Sequence, residues 1–119
     1  MGTSQLHESV DDLSPETHEM HRALVSLIEE FEAVDWYGQR VDAASNEELK
    51  GVLAHNRDEE KEHACMTLEW IRRHDPVLDR YLRQFLFRSD SIVESEHGAN
   101  GGDRTLGIGS LRNEKEKRT

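Results

Sequence analysis

The sequence predicts an all-α fold: an antiparallel two-helix hairpin plus a short third helix, dimerising into a four-helix bundle. Three observations lead there. Apolar residues recur at helical spacing along two long stretches. Only a few residues join those stretches, which makes the two helices antiparallel neighbours. The chain also carries an inward Glu on one helix and a Glu-x-x-His on the next, half of the set that a metal-bearing four-helix bundle collects.

Taken in order, residues 1–13 carry no strong pattern and read as a flexible N-terminus. Ser14-Pro15-Glu16 opens the first helix with an N-cap, a proline at the first helical position and an acid in the first turn. Met20, Ala23, Leu24, Leu27, Ile28, Phe31 and Val34 keep helical spacing, and the helix is expected to end near Arg40 or Val41, with Gly38 a mild weakness. Asp42-Ala43-Ala44-Ser45 turns the chain. Ser45-Asn46-Glu47-Glu48 then offers a Ser-x-x-Glu capping box for a second helix that runs to His74. Asp75-Pro76 stops it and caps a third helix, Pro76 to Phe87, made amphipathic by Val77, Leu78, Tyr81, Leu82, Phe85, Leu86 and Phe87. Residues 14–87 thus make the helical domain. Residues 88–105, rich in Ser, Asp, Glu, Gly and Asn, read as a flexible linker. In the last segment, residues 106–119, Leu106-Gly107-Ile108-Gly109-Ser110-Leu111 is an apolar island with no local core to join. Leu106, Ile108 and Leu111 read as the anchors of a short docking peptide.

Composition narrows the function. The 119 residues suffice for one small domain, but 34% are hydrophobic and as many are charged. A hairpin with so little to bury is marginal alone, so self-association is expected. The net charge of −10 argues against nucleic acid and suits the collection of cations. No apolar run is long enough to span a membrane. The start Met1-Gly2-Thr3-Ser4-Gln5-Leu6 shows neither a secretory signal nor a myristoylation pattern. The single cysteine, Cys65, cannot form an internal disulfide, which fits a reducing cytoplasm. Beside Ala64 it reads as a small buried or boundary residue.

The second helix carries the chemistry. At about 100° per residue, Leu49, Val52, Leu53, Asn56, Glu60, His63, Thr67, Trp70 and Ile71 fall on one face. A carboxylate and an imidazole one turn apart therefore point into expected core. A buried lone carboxylate is costly unless something pairs with it, and a metal ion is one such partner. On the first helix Leu27, Glu30, Val34 and Tyr37 are spaced three, four and three, which puts Glu30 along the edge of the apolar stripe. A two-fold homodimer would bring together two sets of Glu30, Glu60 and His63, and mixed oxygen and nitrogen donors suit iron. The bland alternative is that acids on long helices are solvated and a lone core His is merely satisfied. Glu59 and Glu62 read as flanking, solvated acids. Glu29 and Glu32, near Trp36, read as solvated too, or as a cluster that attracts cations. Tyr37 either hydrogen-bonds a ligand or fills core. His55 and His74 read as surface or boundary residues.

Three segments together are familiar: residues 29–37 (Glu-Glu-Phe-Glu-Ala-Val-Asp-Trp-Tyr), residues 55–64 (His-Asn-Arg-Asp-Glu-Glu-Lys-Glu-His-Ala) and residues 66–70 (Met-Thr-Leu-Glu-Trp). From about Ser14 to Phe87 the chain resembles the encapsulated ferritins, and the Leu106–Leu111 island resembles the peptide by which cargo docks inside encapsulin shells. The resemblance implies a protomer whose dimer rebuilds a ferritin-like four-helix bundle, and a ring of dimers, a homodecamer. It implies a di-iron ferroxidase centre between subunits, with Glu30, Glu60 and His63 as ligands and Tyr37 close by. It also implies an outer metal site at Glu29 and Glu32 beside Trp36, where Ca, Zn or Mn could also bind. Fe(II) would be oxidised to Fe(III) by dioxygen and stored as mineral in the surrounding shell, inside the cytoplasm. Two rival readings remain: a non-catalytic acidic cargo or scaffold protein, and a di-iron oxygenase or peroxidase. The second would need an organic-substrate pocket or a reductase partner, and no sequence feature supplies either.

Overall fold

Two long helices carry most of the chain. The computed structural model describes residues 6–101, with side chains described through residue 96. The apolar island with Leu106, Ile108 and Leu111 lies outside the described residues. α1 runs Pro15–Ala43 and α2 runs Glu47–His74. Ser14 caps α1 as its sequence suggests: its side chain accepts a hydrogen bond from the Thr17 N–H, and Pro15 follows at the first turn. For α2 the cap is Asn46, not Ser45. The Leu49 N–H donates to Asn46 Oδ1 at 2.8 Å. Asn serves as well as Ser at this position, so a Ser-x-x-Glu match one residue earlier misplaces the start. Ahead of α1, Val10–Asp12 form a 3₁₀ turn, and the Val10 carbonyl lies 3.1 Å from His18 Nε2. The end of the expected flexible N-terminus is thus tied down by a side chain eight residues on, a contact that periodicity does not reveal.

The seam between α1 and α2 follows alternating steps of four and three residues. On α1 it consists of Ala23, Leu27, Glu30, Val34, Tyr37 and Val41, all half-buried. On α2 it consists of Leu53, Arg57, Glu60, Ala64, Thr67 and Ile71. This is the repeat of two helices packed along one line. Ala64, in its middle, and Ile71, at its end, are its most buried residues, each 1% exposed. Two helices alone cover only a narrow strip. Leu24, Phe31, Leu49, Val52, Met66 and Trp70 therefore remain exposed. The sequence placed Leu49, Val52, His63 and Trp70 on the buried face. The stripe has the right helical period, but one partner helix covers only its middle.

The second unit of the chain begins at Asp75, whose carboxylate accepts from the Leu78 N–H at 3.0 Å and caps α3, Pro76–Phe85. The helix closes at Leu86. Phe87 then takes φ 60 with its side chain fully exposed, a backbone state uncommon for a bulky residue. α4, Ile92–Gly101, occupies the stretch expected as linker. Ser91 starts it, its Oγ accepting from the Glu94 N–H at 3.3 Å. Ser95 donates to the Ser91 carbonyl at 2.8 Å and is buried, and the Gln84 amide on α3 donates to the Ser95 carbonyl at 3.4 Å. The polar composition of the segment hid a Ser-x-x-Glu start at Ser91-Ile92-Val93-Glu94. Among the described residues every regular element is helical, and no helix is long and apolar enough to cross a membrane.

Candidate metal centre

α1 brings Glu30 to the seam, where α2 meets it with a hydroxyl. Thr67 Oγ1 donates to Glu30 Oε2 at 3.2 Å. The other oxygen, Glu30 Oε1, is buried and accepts no hydrogen bond. Leaving a buried acceptor unmet costs about 1–3 kcal/mol, and more when the group is charged. The sequence put Thr67 on the inner face but gave it no role. The signal was its position, one turn beyond His63 and two beyond Glu60 on the same side of α2.

Glu60 and His63 stand one turn apart, with Glu60 Oε1 and His63 Nδ1 3.4 Å from each other. The Glu60 side chain is 28% exposed and that of His63 48% exposed. His63 therefore lies at the edge of the seam and opens outward, where the sequence expected it inside. Glu59 flanks it, 4.0 Å from His63 Nε2 and 3.9 Å from His55 Nε2. These are ion-pair separations, too long for hydrogen bonds.

The register separates the three expected ligands within one chain. Glu30 meets Thr67, and Gly38 lies against the Arg57 side chain. Thr67 is two turns beyond Glu60, roughly 10 Å along the helix. Among the described residues no three His, Cys, Asp or Glu side chains stand close enough to hold one ion.

The remaining expected residues scatter around this seam. Tyr37 is half-buried, and the Arg40 guanidinium lies 5.2 Å from its ring centre. Glu29 and Trp36 are exposed. Glu32 is not a simple solvated acid: its Oε1 is buried without a hydrogen-bond partner. Glu62, His55 and His74 are exposed as expected, and His74 stacks on Trp70 with ring centres 3.9 Å apart. Cys65 is exposed rather than buried, and it lines a surface groove with Met66 and Trp70. Farther along α2, hydrogen bonds from Arg72 and Arg73 hold the Glu69 carboxyl down to about 2. That carboxylate is fully paired on its own helix.

Comparison with known proteins bears on the whole helical region. A family model described as EncFtn-like matches residues 5–89. An "Encapsulated ferritin-like protein" from Rhodospirillum rubrum is 49% identical, over 94% of this chain and 91% of that protein. An "Encapsulin nanocompartment cargo protein EncC" from Myxococcus xanthus is 34% identical, over 62% of this chain and 57% of that protein. The crystal structure of protein ne0167 from Nitrosomonas europaea, 59% identical, superposes with a TM-score of 0.72 and covers 73% of this chain and 96% of that one.

Proposed function

The chain belongs to the EncFtn-like family, and from that membership and the chemistry of its seam we propose that it is a ferroxidase that works as a pair of subunits. Its substrate is Fe(II), and dioxygen is the electron acceptor. Two copies meet so that Glu30 of one and Glu60 and His63 of the other come within reach of the same ion. The exposed apolar residues beside the seam, such as Phe31, Val52 and Trp70, supply the surface for that contact. A ring of such pairs, a decamer, extends the same principle.

One observation carries the reading: Glu30 Oε1 is buried and unmet, while its sister oxygen is already held. A cation satisfies such an oxygen better than any neutral donor. The donor set fits iron, with carboxylate oxygens for its charge and one imidazole nitrogen. Bound iron supplies the electrons. The chain's own residues do the rest. Glu30 and Glu60 neutralise the ions, His63 fixes one of them at the seam's edge, and Tyr37 stands close by, two turns from Glu30 on the same line of α1. Glu29 and Glu32, with Trp36 beside them, collect cations on the outer side, and Ca, Zn or Mn can compete there. The similarity to an encapsulin cargo protein supports a place inside a cytoplasmic encapsulin compartment, docked through Leu106, Ile108 and Leu111. Fe(III) leaves for mineral held by that shell.

The test is anaerobic loading with Fe(II), then admission of air while oxygen uptake and a ferric absorbance band are followed. Rapid uptake at a fixed ratio of iron to subunit pairs is expected. Oxidation no faster than free Fe(II) in the same buffer would refute the reading.

A further inference from the structure

A helical threonine can satisfy its hydroxyl on a carbonyl of its own helix, one turn back. Thr67 instead spends its single O–H on a carboxylate of the other helix, Glu30 Oε2, at 3.2 Å. The bond leaves Oε1 buried and bare. As a device for joining two helices this is poor, because an apolar pair of similar volume would pack there without stranding an oxygen. As a device for aiming a ligand it makes sense. One oxygen is pinned, the carboxylate plane is fixed, and the second oxygen is offered in one direction.

We propose that Thr67 is a positioning residue for Glu30, holding Oε2 so that Oε1 is presented to an incoming metal ion. The inference rests on the metal-site reading of the preceding subsection. It adds a residue outside the expected ligand set and gives it a separable task. Thr67 touches neither iron nor oxygen and acts only through Glu30. Hydrogen bonds of this outer kind raise metal affinity by about 10- to 100-fold.

Cobalt(II) titrated anaerobically into the full-length protein tests it, since the d–d spectrum reports coordination geometry without turnover. Thr67→Val keeps the shape and removes the donor. It is expected to weaken Co(II) binding 10- to 100-fold and to alter the d–d bands; the metal-free unfolding temperature falls as well, because Oε2 loses its donor, so the spectrum and not the stability is the readout. Thr67→Ser restores affinity and spectrum. Thr67→Ala provides a second donor-free variant should the valine protein not fold. Wild-type affinity and bands in a folded donor-free variant would overturn the inference, whatever its unfolding temperature. A shifted unfolding temperature with an unchanged spectrum would mark Thr67 as packing only, which also overturns it. The reading beneath it fails differently. If wild type gives no Co(II) bands, or His63→Ala titrates like wild type, the metal site itself is refuted and the inference goes with it. If His63→Ala abolishes binding while Thr67→Val leaves it intact, only the role of Thr67 is lost.

Discussion

Glu30 and Glu60 hold matching places on the inner lines of α1 and α2, yet their surroundings differ. Glu30 is covered by the opposite helix, with one oxygen bonded to Thr67 and the other stranded. Glu60 is more open and has only a loose contact with His63, from its own helix. An inner position does not by itself bury a carboxylate; what the facing helix sets against it decides. One half of the candidate site is built within the chain. The other half is left at an edge, facing outward, where a second copy can complete it.

Substitutions on the open side should have the greatest consequence. Glu60→Ala or His63→Ala should slow rapid Fe(II) oxidation by at least about tenfold, since even outer-sphere losses cost that much. Helix content by circular dichroism should not change. Unaltered stopped-flow kinetics in either variant would remove them from the ligand set.

On the covered side the expected effect is on stability. Glu30→Gln replaces a stranded charge with a neutral amide, which is cheaper to bury. Metal-free protein should gain about 1 kcal/mol in urea unfolding. Glu60→Gln should change it by well under that, because water already reaches this side chain. Equal shifts in the two variants would erase the distinction drawn between them.

Glu69 sharpens the contrast as a carboxylate that needs no metal. Arg72 and Arg73 hold its pKa at about 2, below the ordinary 4.5. A depressed carboxylate stabilises fully above its unfolded pKa and loses that contribution as pH falls through the folded value. The last turns of α2 should therefore loosen between about pH 4.5 and pH 2. Glu69→Gln should remove this step from a pH titration of the helical signal. The group is exposed, so salt should shrink the step. Co(II) affinity should be the same in this variant as in wild type.

The smallest effect concerns Gly51. A Cβ there meets nothing within 4 Å, and glycine inside a helix costs up to about 1 kcal/mol relative to alanine. Gly51→Ala should stabilise the hairpin by up to that amount and leave iron oxidation unchanged. A loss of stability would mean that this part of α2 is closed against a neighbouring subunit.

Much of the hairpin could be read from residue order, because its signals are local. Ser14-Pro15 and Asp75-Pro76 act where their chemistry says they should, and helical period marks both long elements. The misses were of two kinds. Ser45 and the stretch at Ser91 show that capping motifs are short and easily shifted or masked by polar composition. Thr67 shows a deeper limit. That it lies on the inner face follows from spacing, but that it meets Glu30 depends on the register between two helices, which no single helix encodes. The same register explains why Glu30 and Glu60 do not converge within one chain. The exposure of His63 and Cys65 followed from how little of α2 a single partner can cover.

The link between the helices, residues 44–46, has a kinetic consequence. So tight a connection lets the hairpin close as a first-order event that does not depend on how many molecules are present. Completing the proposed centre requires an encounter between two such hairpins, which is second order. Dilution should then silence the chemistry long before it melts a helix, and turnover per subunit becomes a measure of how many subunits have found a mate.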